Sequence, residues 1–108
     1  MHEGKILYRY TVSNGEFFIH KGVVTDCGTR LLVNFKDSGS TLRCPKEEEL
    51  GKIRSIGRSL WLDHRDDDKA RMIFIHYELD RIKNLREQID KKLEIIETLI
   101  DGIGDMED

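Results

Sequence analysis

The side chains of this sequence that can do metal or redox chemistry are scattered rather than grouped. The four histidines form no H-x-x-x-H pair, and the two cysteines, Cys27 and Cys44, form no C-x-x-C pair. Two His–Asp pairs, beginning at His64 and His76, have the i, i+4 spacing that places two ligands on one helix face. Because a zinc site needs three or four protein ligands, we expect no metal site and no cofactor.

No arrangement typical of an enzyme active site occurs. The sequence has no G-x-S-x-G, no P-loop and no G-x-G-x-x-G. The run Asp66-Asp67-Asp68 lacks the alternation, the glycine and the distal glutamate of a calcium loop. We therefore expect a protein that is not an enzyme.

A cluster of basic residues with one tryptophan could bind nucleic acid. Small barrels bind single-stranded nucleic acid with a basic groove and stacked aromatic side chains. This makes the cluster a candidate nucleic-acid patch. Its members are Arg43, Lys46, Lys52, Arg54, Arg58 and Trp61.

Short strands must position this patch. Period-two alternation predicts strands over residues 5–12, 16–25, 29–36, 41–44 and 52–57, and a last extended piece over residues 59–62. Asn14-Gly15 predicts a type I′ hairpin, and Pro45 begins a single helical turn. In the first strand, Tyr8 and Tyr10 should share one face and Arg9 should lie on the other.

An open sheet this small leaves two unpaired edges, and closure removes them. The predicted fold class is therefore α+β: a small antiparallel five-stranded β-barrel (SH3-like or OB-like) over residues 1–62, followed by one long C-terminal α-helix. Asp63 is the expected N-cap, and Gly102 the expected stop, of a helix over residues 63–101. Residues 102–108 are then a flexible acidic tail.

The second half of this helix carries an apolar stripe that the barrel is too small to cover. Ile82/Leu85, Ile89 and Ile96/Leu99 fit an a/d heptad, with Lys92 as a break. A homodimeric coiled coil is the favoured answer, and a break near Asn84 that folds the helix into a hairpin is the alternative. The predicted partner face consists of Ile82, Leu85, Ile89, Leu93, Ile96, Leu99 and Ile100.

Charge and compartment narrow the choice of function. Residues 1–62 carry ten Lys/Arg and seven Asp/Glu, whereas residues 63–108 carry eight and fourteen. An acidic second half argues against a general nucleic-acid coat. No signal peptide or membrane span is seen, and two cysteines are few for a secreted domain. We expect a cytoplasmic protein with both thiols reduced, the alternative being one Cys27–Cys44 disulfide.

The segment SLWLDHRDDDKA (residues 59–70) resembles many small uncharacterised proteins of Firmicutes and their phages. The segment LGKI (residues 50–53) is similar to their usual entry to the last strand, whereas His64 and Arg65 depart from the commoner acidic run. The resemblance implies a phage or mobile-element protein acting in the host cell, and such proteins include inhibitors of the anti-CRISPR kind.

These observations favour a non-enzymatic protein-interaction module, a phage-encoded inhibitor of a bacterial defence nuclease complex that acts by binding a protein partner. The alternative is a single-stranded nucleic-acid-binding protein that uses the basic patch.

Overall fold

The chain folds into one sheet and one long helix. The computed structural model describes residues 1–54 and 58–106, with side chains through residue 103. The strands are β1 (Ile6–Ser13), β2 (Glu16–Asp26), β3 (Leu31–Asn34), β4 (Thr41–Arg43) and β5 (Ser59–Leu62). A 3₁₀ turn covers Glu47–Glu49 after Pro45, as predicted, and helix α1 covers Asp67–Met106.

Local turn chemistry sets the antiparallel meander. Asn14 and Gly15 have φ angles of 52° and 78°, the two positive values that a type I′ turn requires, and Ser13 pairs with Glu16 across it. At the next turn the Gly28 amide donates to Asp26 Oδ1 at 2.8 Å. The predicted hairpin and meander are confirmed.

The sheet is open, and the predicted barrel closure is wrong. The strand order is β4-β3-β2-β1-β5, and among the described residues no pairing joins β4 to β5. β4 has only three residues and ends before Pro45, which has no N–H to donate. Of the strand predicted over residues 52–57, Ile53 makes one bridge to Leu60, and residues 55–57 lie outside the described part. The pairing does not support an SH3-like or OB-like barrel.

Both faces of the sheet bury apolar side chains. On the first, called here the Leu7 face, a cluster forms from Leu7, Val24, Val33, Phe35 and Trp61. On the second, the Tyr10 face, Tyr10 packs with Leu60 and Leu62 of β5 and with Ala70 and Phe74 of the first turns of α1. The helix therefore covers one face, and Met1, Cys44 and Leu50, which lie outside the strands, pack against the cluster on the other.

Helix α1 differs from the expectation at both ends. Asp66, not Asp63, is the N-cap, because Asp66 Oδ1 accepts from the Lys69 amide at 3.0 Å. The Asp63 carboxylate instead contacts His64 Nδ1 at 2.7 Å. The helix continues through Gly102 to Met106. Residues 107–108 of the predicted tail lie outside the described part.

The helix is continuous through Asn84, so the hairpin alternative is wrong. The chain divides into two compact units, and the second begins at Ile75 within α1. Cys27, which is exposed, and Cys44, which is half-buried, are free thiols in the structure. Within the described residues, no helix has the length and apolarity needed to cross a membrane.

Candidate functional site

Residues 75–103 of α1 present large aliphatic side chains that stay about half exposed among the described residues. The exposed fractions run from 46% at Ile82 to 63% at Leu99. Keeping one such side chain in water rather than burying it costs on the order of 1.5–3 kcal/mol. The residues are Ile75, Leu79, Ile82, Leu85, Ile89, Leu93, Ile95, Ile96, Leu99, Ile100 and Ile103. Exposed apolar surfaces of this extent are typical of interaction sites.

Most of these side chains fall into one heptad frame, called here the helix seam. Isoleucine occupies every d position, and the a positions are aliphatic except for Arg86. This frame runs through the predicted break at Lys92, because Lys92 takes the flanking g position and Leu93 an a position. The a residues are Leu79, Arg86, Leu93 and Ile100, and the d residues are Ile75, Ile82, Ile89, Ile96 and Ile103.

The flanks of the helix seam carry charges of both signs. Glu78 and Lys92 lie at g positions, while Lys83 and Glu97 lie at the e positions of the following heptads. In a parallel, in-register pair of helices, each g side chain faces the next e side chain of the partner. Of the three facing pairs within residues 75–103, Glu78 with Lys83 and Lys92 with Glu97 are then oppositely charged, and the third joins Leu85 to Asp90.

The structure separates the predicted nucleic-acid patch. Arg43 and Lys46 line a cavity of about 480 Å³ together with Arg30. That cavity is also lined by the carboxylates of Glu47 and Glu48, so its charge is mixed.

The other members of the patch do not complete a nucleic-acid site. Arg54 Nη2 lies 3.2 Å from Glu49 Oε2 in an ion pair, and Lys52 and Arg58 are exposed without lining the cavity. Trp61 is 1% exposed, and its ring lies 5.9 Å from that of Phe35 within the Leu7-face cluster. No nucleic-acid base can stack on a side chain buried in this way.

Around the start of α1, His64 contacts Asp63 and Arg65 contacts Asp67. The hydrogen bond from His64 holds the pKa of Asp63 below its usual range, and a hydrogen bond from Arg65 does the same to the pKa of Asp67. No cluster of three or more metal-ligating side chains occurs within residues 1–54 and 58–103.

A second site, not predicted from the sequence, lies on the Leu7 face. A cavity of about 190 Å³ is lined by Arg9, His20, Phe35, Ser38, Ser40 and Leu42. Arg9 lies directly opposite His20 of β2 and Trp61 of β5. The alternation in β1 placed Arg9 on the face away from Tyr10, but only the strand order shows which side chains surround it.

Comparison of the chain with protein-family models, with curated proteins and with solved structures finds no match.

Proposed function

We propose that this protein is a non-enzymatic interaction module whose copies associate through the helix seam of α1. The observation that carries the proposal is the continuous row of half-exposed aliphatic side chains over residues 75–103. Removing this surface from water is a large favourable term, and a second copy of the same helix offers a surface of the same length and period.

The charges on the flanks of the helix seam support the proposal that the helix packed against it belongs to a second, parallel copy of this chain. In the parallel arrangement, Glu78 meets Lys83 and Lys92 meets Glu97 of the neighbouring helix. Such flanking pairs set partner choice and orientation in coiled coils. Arg86 is the one charged residue at an a position, and a single polar residue there fixes register at a cost in stability.

The residue types of the seam favour more than the two helices that the sequence predicted. Isoleucine at d with leucine at a shifts parallel coiled coils towards three or four strands. Leu85 and Leu99 at g positions widen the apolar face beyond a strict a/d seam. A face formed by a, d and g positions suits a helix in a bundle rather than in a pair.

Light scattering on substituted proteins tests this proposal. In the variant Ile89→Asp/Ile96→Asp, two seam positions become carboxylates, and we expect the molar mass to fall to the 12.6 kDa of one chain. Ile95→Asp is the matched control, because Ile95 is 59% exposed but lies at a c position outside the seam. Its mass should equal that of the parent. An equal decrease in molar mass in both variants would assign the effect to helix destabilisation and contradict the proposal.

Inhibition of a bacterial defence nuclease is a narrower role than self-association, and we propose it separately. In this role a protein partner, such as a bacterial nuclease complex, docks on the outer surface of the assembled helices. Capture of a host protein that survives nuclease treatment supports this role. Capture that is lost with nuclease supports the nucleic-acid alternative, which now lacks Trp61 as a stacking platform.

A further inference from the structure

The Arg9 pocket contains a guanidinium group that forms no ion pair with any other described residue. β1 is an interior strand of the sheet, between β2 and β5, and Arg9 projects from its middle. Arg9 Nε is buried and has no hydrogen-bond partner in the described residues. A buried donor left unpaired is destabilising, so its place here calls for an acceptor from outside the chain.

The walls of the pocket provide further donors and no acid. The Ser38 and Ser40 side chains line the cavity, and their hydroxyls are hydrogen-bonded to each other at 2.7 Å, which leaves one O–H of the pair to donate to a ligand. The His20 ring stands edge-on to Phe35 at a centroid distance of 6.2 Å, which holds the imidazole at the cavity wall. Hydroxyl, imidazole and guanidinium N–H groups are the donors that bind oxyanions in proteins.

The size and charge of the pocket select among oxyanions. Arg9 is the one permanently charged side chain in the lining, so a singly charged group is neutralised there and a doubly charged phosphate is not. The planar guanidinium matches a planar carboxylate in bidentate geometry. Phe35 and Leu42 supply apolar wall for a short carbon chain. The volume of about 190 Å³ is below the roughly 300–1,000 Å³ of pockets for drug-sized ligands, so it suits a terminal group.

We propose that the pocket between Arg9, His20 and the Ser38/Ser40 hydroxyls binds a carboxylate group. That group belongs to a small organic acid or to the C-terminus of a protein partner, and the chemistry of recognition is the same for both. The site is independent of the helix seam, since all of its residues belong to the sheet and its loops.

The Arg9 Nε–H resonance of the full chain is the direct probe. The protein is titrated with sodium propionate and, at matched ionic strength, with propionamide and inorganic phosphate. We expect a saturable shift with propionate below about 100 mM, and binding at least tenfold weaker for propionamide and phosphate. A resonance that does not saturate with propionate, or that responds equally to propionamide or phosphate, would overturn the proposal.

Substitutions separate a binding role from a structural one. Arg9→Gln should lose propionate binding tenfold or more, whereas Arg43→Gln, which removes an exposed arginine outside the pocket, should retain it. Arg9→Met, of similar shape and without charge, should melt no lower than the parent in the absence of ligand. A large drop in its melting temperature, with propionate binding unaffected in Arg9→Gln, would assign Arg9 a purely structural role.

Short peptides with a free or an amidated C-terminus identify the source of the carboxylate. A free terminus that binds tighter than propionate indicates a protein partner, and equal affinity indicates a small acid. Binding of the amidated peptide as tight as that of the free one would contradict recognition of a carboxylate.

Discussion

Two hydrogen bonds of one side-chain hydroxyl connect the start of α1 to the sheet. The Tyr10 hydroxyl accepts from the Asp66 amide at 3.0 Å and donates to Asp67 Oδ1 at 3.2 Å. It therefore satisfies one of the amides at the helix N-terminus that have no partner within the helix. The alternation of β1 in the sequence identified Tyr10 as a core residue, but its polar role depends on a residue 57 positions away in the chain.

Replacing Tyr10 with phenylalanine tests this attachment. Tyr10→Phe should lower the free energy of unfolding by roughly 1–3 kcal/mol, because the partly buried Asp66 amide loses its acceptor. Urea unfolding followed by circular dichroism measures the loss. Tyr8→Phe is the control, since the Tyr8 hydroxyl makes no hydrogen bond in the described structure, and it should stay within about 0.5 kcal/mol of the parent. Equal losses in the two variants would contradict the role given to the Tyr10 hydroxyl.

The same side chain predicts the behaviour of the fold in alkali. Burial raises the pKa of Tyr10 above its ordinary value. Stability from the neutral phenol is fully present below the unfolded-state pKa of about 10, and is lost as pH rises through the folded-state value. Unfolding free energies measured from pH 8 upward should fall above about pH 10, and fall less steeply in Tyr10→Phe. Identical slopes would show that other groups control the decline.

At the level of elements, the sequence predicted local structure well and pairing between distant segments poorly. The Asn14-Gly15 hairpin depends on two adjacent residues and was predicted correctly. Closure of the barrel depended on β4 meeting β5, and the short β4 ending at Pro45 gives β5 no partner there. The Arg9 pocket was missed for the same reason, because its residues come together only through the order of the strands.

Within α1, Arg86 is the residue that the seam account singles out. Arg86→Leu places an aliphatic side chain at the one charged a position, and should strengthen association by about 1–2 kcal/mol per chain. Lys91→Leu removes the same charge at an outward f position and should leave association unaltered. Analytical ultracentrifugation at several protein concentrations measures the association constants of both variants. Equal strengthening in the two variants would indicate a general effect of hydrophobicity or charge and would contradict the seam.

On the scale of the whole molecule, the proposed assembly has parallel helices. In the parallel arrangement, Lys92 faces Glu97 of the neighbouring chain. Lys92→Glu or Glu97→Lys alone should weaken association several-fold, and the double variant should recover it, since it restores an opposite-charge pair. Analytical ultracentrifugation measures the association constant of each variant. Failure of the double variant to recover would contradict the parallel orientation.

The molar mass of the unmodified protein tests the central claim most directly. Light scattering across about 1–100 µM covers the affinities expected of a stable coiled coil. We expect three or four times the chain mass of 12.6 kDa at the highest concentration, with the mass decreasing on dilution. A mass of twice the chain would retain the seam and restore the homodimer. A mass of 12.6 kDa throughout would contradict self-association through α1.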